Sequence, residues 1–198
     1  MTRSAAACLA AFLVLLAPRA QAGPFWKPFL AGAASGFAIH EGSHLILDLG
    51  FGADPRLKGV RFGPLPFFAV THRSDVSPGR EALISGAGFF SQHVTSELVL
   101  ERRTPGQPIS AFSKGALAFH LATSVAYAGA ALTRYGPYER DTRGLATATG
   151  ADERLIGVLV LAPTAFDAWR YLRPTSKAAR WGSRAAKLAF LGVIAFKR

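Results

Sequence analysis

Long apolar stretches alternate with short basic ones along most of this chain. Phe29 to Gly52 is interrupted only by Ser35, His40, Glu41, Ser43, His44 and Asp48, and Ala82 to Leu100 carries one charge, Glu97. Gly115 to Thr133 has no formal charge and a single histidine, and Leu155 to Leu172 is apolar apart from Thr164, Asp167 and Arg170. A helix that crosses a bilayer needs about 20 mostly apolar residues, so three or four of these stretches are predicted to span. The last apolar run, Leu188 to Phe196, is too short to cross by itself. The pattern predicts an all-α fold, a polytopic membrane helix bundle of about 4–5 helices.

One connector breaks the helical pattern. Lys58-Gly59-Val60-Arg61-Phe62 alternates, Gly63-Pro64-Leu65-Pro66 has turn composition, and Phe67-Phe68-Ala69-Val70-Thr71 has strand composition. The expected element is a short β-hairpin after the first core helix, at the membrane surface or dipping into it. Residues 1–22 read as a signal peptide, either cleaved or retained as an anchor. They show a positive start at Arg3, an uncharged run from Ala5 to Ala17 and Ala20-Gln21-Ala22 before Gly23. Residues 23–198 are then expected to form a single membrane-embedded domain with an exported N-terminus, in a membrane of the bacterial inner type.

Composition narrows the function classes. The chain has 198 residues, is 50% hydrophobic and only 18% charged, and carries a net charge of +11. Disorder is excluded by this apolarity. One cysteine, Cys8, excludes a disulfide framework and a cysteine metal cluster. The basic excess lies in the connectors: Arg56, Lys58, Arg61, Arg73 and Arg80 between the first two apolar stretches, and six basic residues from Arg170 to Lys187. Anionic lipid head groups attract such residues, so the charge points to a lipid bilayer as partner and not to nucleic acid.

The informative charges are the few inside the apolar stretches. Residues 40 to 44 read His-Glu-Gly-Ser-His, an H-E-x-x-H pattern. On a helix, positions i and i+4 share a face, so His40 and His44 can reach one Zn²⁺ while Glu41 stands beside the open position as general base. Ionisable groups in so apolar a run are costly unless paired or metal-bound. The competing reading is a hydrogen-bonded His/Glu cluster on a packing helix. A catalytic zinc site needs a third protein ligand. Asp48, a turn beyond His44, is poorly placed to close a tetrahedron; Glu97, His93 and His120 are candidates. Asp167 is the preferred one, in an apolar stretch broken by Pro163, where a kink can aim a carboxylate inward. Its alternative role is an ion pair with Arg170 at i+3. Gly32-x-x-x-Gly36 and Gly86-x-Gly88 are read as helix-packing devices. His72 and His93 are read as structural, and His120 as a bond to a neighbouring helix.

With these motifs in hand the chain resembles the site-2 protease family of intramembrane zinc metalloproteases. Phe37 to Gly52 resembles the family's H-E-x-x-H helix, and Val60-Arg61-Phe62-Gly63-Pro64 is similar to the segment that follows it. Ala87-Gly88-Phe89-Phe90-Ser91-Gln92 is similar to the A-G-P-x-x-N motif, with Phe89 and Gln92 in place of Pro and Asn. Asp167 stands at the ligand position of the P-x-x-D-G motif, with Ala168 in place of Gly. The resemblance covers roughly Phe29 to Arg173 and implies a minimal, divergent core. It implies a zinc endopeptidase that cleaves transmembrane segments of other proteins, with His40, His44 and Asp167 on the metal and Glu41 as catalytic base. Two other functions fit the residues: an inactive polytopic membrane protein that binds metal or a partner helix, and an exported soluble zincin.

Overall fold

The computed structural model describes residues 25–62, 65–103 and 106–196, apart from the side chains at 62, 65–67 and 196. The expectations for the signal segment 1–22, Cys8 and Gly63-Pro64 of the predicted turn therefore lie outside the described residues, while Leu65 and Pro66, placed in that turn by composition, belong to the second strand and pair with Phe62 and Arg61. Six helices follow one another with a β-hairpin after the first: α1 Trp26–Gly50, β1 Arg56–Phe62, β2 Leu65–Thr71, α2 Pro78–Glu101, α3 Ala111–Thr133, α4 Asp141–Thr149, α5 Glu153–Leu172 and α6 Lys177–Phe196. The predicted helical bundle and its hairpin are both present. Two of the helices, α3 and α5, are long and apolar enough to cross a membrane. Three or four such segments were expected. Helix α1 matches the length at 25 residues, but the polar residues of its own H-E-x-x-H stretch dilute its apolarity.

Helix α1 shows how the bundle is organised. Its buried residues are Gly32, Gly36, His40, His44 and Asp48, four apart, so they form a single stripe along the helix. The outward positions are Trp26, Leu30, Ile39, Ile46 and Leu49. Two glycines and three ionisable residues face the interior while large apolar side chains face out. The glycines serve close approach to α3. A Cβ on Gly32 would collide with the backbone of Phe112, a Cβ on Gly115 with the backbone of Phe29, and one on Gly36 with the Phe119 ring. Gly88 of α2 similarly admits the His40 ring. The glycine pair in α1 and Gly88 are thus packing devices, as their spacing predicted.

The remaining ends follow local rules. Pro78 opens α2 in its first turn, where a missing N–H costs nothing. Ser110 caps α3 by accepting from the Ser113 amide at 3.1 Å, and Asp152 caps α5 by accepting from Arg154 at 2.8 Å. Gly150 ends α4 in the left-handed region, φ 65°, the conformation glycine adopts without strain. The hairpin is antiparallel, pairing Arg56 with Thr71 through Phe62 with Leu65. It rests on α1 through Phe68, whose ring lies 5.4 Å from that of Phe37. The main apolar core gathers Phe89, Leu145, Ile156, Val160 and Phe190 from α2, α4, α5 and α6.

Candidate metal centre

His40 and His44 project from the buried stripe of α1, and α4 brings Asp141 against them. His40 Nε2 lies 3.2 Å from Asp141 Oδ2, His44 Nε2 lies 3.4 Å from the same oxygen, and the two imidazole nitrogens are 3.4 Å apart. Three ligand atoms on a shared tetrahedral zinc with bonds near 2.0–2.1 Å stand about 3.3–3.4 Å from one another. The observed triangle has that size. His44 Nδ1 lies 2.7 Å from the Ile84 carbonyl oxygen, to which it donates when protonated, leaving Nε2 free for a metal. Among the described residues this is the group of His, Cys, Asp and Glu side chains able to hold an ion. The donor set, two imidazoles and a carboxylate, suits zinc.

Asp141 is held by an ion pair behind it. Arg140, 7% exposed, donates from Nε and Nη2 to the two oxygens of Glu153 at 2.6 and 2.7 Å, and from Nη1 to the Pro137 carbonyl at 2.8 Å. Thr142 adds a hydroxyl to Glu153 at 3.0 Å. This fork joins the start of α4, next to Asp141, to the start of α5. Burial favours the neutral form of Asp141, but the adjacent His44 and His40 prevail and hold its carboxyl well below the usual range.

Glu41, half-buried, opens onto a cavity of about 250 Å³ shared with His44, Asp141 and Tyr127. Its carboxylate accepts no hydrogen bond among the described residues, so it is free to take a proton. Tyr127 lies tilted beside His40, with ring centroids 6.0 Å apart and planes at 33°, and meets Phe89 edge-on.

The preferred third ligand of the sequence reading is elsewhere. Asp167 belongs to a second buried polar group. Ser96 and Ser183 each donate a hydroxyl to it at 2.6 Å, Lys187 Nζ lies 3.0 Å from Oδ1, and His120 Nε2 lies 3.4 Å from Oδ2. Its lone pairs and its charge are already matched, so the structure assigns the position beside the two histidines to Asp141 and not to Asp167. The alternative pairing with Arg170 is also secondary, at 3.9 Å, because Arg170 binds Glu97 at 2.5 Å. Glu97 is further engaged by Arg184 and Lys187, which removes it as a ligand candidate. His93 packs its ring on His120 and Phe190, and His72 pairs with Glu81 at 3.1 Å; both sit outside the metal triangle, as expected.

Asp141 does not stand out in the sequence, because it sits in a connector among four arginines and not inside an apolar stretch, where a lone charge is conspicuous. The available signal was its place at the start of a short helix closed by Gly150, a pattern shared with ordinary helix caps. No family model matches the chain, and no curated protein or solved structure matches it either.

Proposed function

We propose that the protein is a membrane-embedded, zinc-dependent endopeptidase that uses Glu41 as its catalytic base, with His40, His44 and Asp141 as the metal ligands. The observation that carries this is the size of the ligand triangle with a free carboxylate beside it on an open cavity. Zinc in a three-ligand setting supplies Lewis-acid polarisation of a carbonyl and a water of lowered pKa. Glu41 takes a proton from the attacking water and delivers it to the amine nitrogen as the peptide bond breaks. Asp141, next to the Arg140–Glu153 fork, is the third ligand. The apolar outer positions of α1, α2 and α5, with polar groups buried behind them, support a bilayer as the surroundings and an apolar, transmembrane-type segment as substrate. The order of motifs that resembles site-2 proteases supports the same reaction class, now with Asp141 in the ligand role.

The test uses detergent-purified protein loaded with zinc and a fluorogenic peptide drawn from an apolar transmembrane-type segment. Glu41→Gln should keep its zinc and lose hydrolysis by about 10²–10⁴-fold, the range for a lost general base. A Glu41→Gln protein that hydrolyses the peptide as fast as the wild type overturns the proposal.

A further inference from the structure

The cavity beside Glu41 extends away from the metal ligands into an apolar recess. Its walls are Thr123, Ala126 and Ala130 of α3 on one side and Ala69 and Val70 of β2 on the other, with Tyr127 between them. The α3 residues recur at i, i+3 and i+7 and so share one helix face. All three are small, which is why space remains between helix and hairpin. An apolar cavity of roughly 150 Å³ admits benzene, so the about 250 Å³ here accommodates a leucine or phenylalanine side chain.

The charges at the rim are already matched. Arg140 is held by Glu153, and Glu139 pairs with Lys58 of the hairpin at 2.6 Å. An ionic ligand therefore gains little there. What the recess offers is apolar at one end and polar, with Glu41, His44 and Asp141, at the other. An amino-acid residue within a peptide has that same division, with a polar backbone next to an apolar side chain.

Resting on the endopeptidase reading, we propose that this recess is the specificity pocket of the site, and that it takes one large apolar side chain from the residue adjoining the bond to be cleaved. Ala126 and Val70 set its size. The peptide group of that residue lies over Glu41, His44 and Asp141, so side-chain recognition and positioning of the bond are one event.

The experiment titrates the zinc-loaded protein, in detergent micelles, with short peptidyl hydroxamates that differ only in the side chain next to the chelating group: Gly, Ala, Leu or Phe. Calorimetry reads affinity without requiring turnover. The wild type should bind the Leu and Phe compounds at least about tenfold more tightly than the Ala compound. Ala126→Phe should fill the recess and erase that difference while the Gly compound binds unchanged. Val70→Ala, which leaves α3 untouched, should shift the preference from Leu towards Phe. Equal binding of all four compounds by the wild type, or a preference that survives both substitutions, overturns the pocket and leaves the metal site standing. Failure of every hydroxamate to bind the zinc-loaded wild type overturns the metal reading, and the pocket falls with it.

Discussion

Asp141, partly buried, and Asp167, fully buried, are both aspartates beside histidines, and they differ in what already surrounds their oxygens. Asp167 receives two serine hydroxyls and the Lys187 ammonium. Asp141 faces the two imidazole nitrogens of α1 with a cavity beside it. The expected outcome of Asp141→Asn is a protein with near-zero zinc by metal analysis, because a carboxamide is a poor replacement for an anionic ligand. Asp167→Asn should keep its zinc and instead melt at a lower temperature, since it leaves Lys187 with only Glu97 as counter-charge. Equal zinc loss in both variants would contradict the assignment of ligands. The two histidines and Glu41 were legible in the sequence because their geometry is local, fixed by the helix turn. Asp141 lies 101 residues from His40, and its approach depends on how α4 packs, which no local spacing encodes. Asp167 attracted attention for a sound reason, that a charge in an apolar stretch needs a partner. The partner came from α6 as lysine instead of from outside as metal.

Helix α4 has only nine residues and is held by Leu145 in the apolar core and by the Arg140–Glu153 fork at its start. A change in that fork, remote from the candidate ligands, should therefore reach Asp141. In Glu153→Ala, Arg140 keeps its buried guanidinium without a counter-charge, and α4 relaxes away from α5. Zinc affinity, measured by competition with a chelator, should fall by about 10–100-fold with all three ligands intact, as for other residues that orient a ligand. A second clip joins the end of the hairpin to α2 through His72 and Glu81. The hydrogen bond to Glu81 outweighs burial and raises the His72 pKa to about 9. A pKa raised on folding stabilises the protein fully below the unfolded value near 6.5 and loses that effect as pH climbs through about 9. The melting-temperature gap between wild type and His72→Gln should therefore be widest between pH 5 and about 6.5 and closed by about pH 10. The elements themselves were largely readable: apolar length gave α1, α2, α3 and α5, and alternation around a Gly-Pro turn gave the hairpin. Helix α6 was legible only as its apolar end, because its first half carries Lys177, Arg180 and Arg184, and Lys187 beyond them is buried against Asp167 and Glu97.

Polar side chains inside and large apolar ones outside recur on several helices, around the apolar core of Phe89, Leu145, Ile156, Val160 and Phe190. His40, His44, Asp48, Gln92, His93, Ser96, His120, Ser124, Asp167 and Lys187 are buried, while Ile46 and Leu49 of α1, Leu83, Phe90, Val94 and Leu98 of α2, and Val158 and Trp169 of α5 are exposed. In water such a surface invites association; in lipid it is the expected exterior. The net charge of +11 is compatible with either medium, so the deciding measurement must act on the apolar face. Val94, 44% exposed near the middle of α2, is a suitable position. In a bilayer, Val94→Lys places an ammonium among acyl chains, at a cost of about 2.5–3.5 kcal/mol by insertion scales. In water the same change is a surface substitution with an effect within about 0.5 kcal/mol. A membrane-embedded bundle predicts that the wild type stays in the pellet after alkaline carbonate and dissolves only in detergent. It also predicts that Val94→Lys accumulates to a markedly lower level in the membrane fraction. Release of the wild type by carbonate, together with normal accumulation of Val94→Lys in the soluble fraction, would place the same metal centre in an exported soluble zincin.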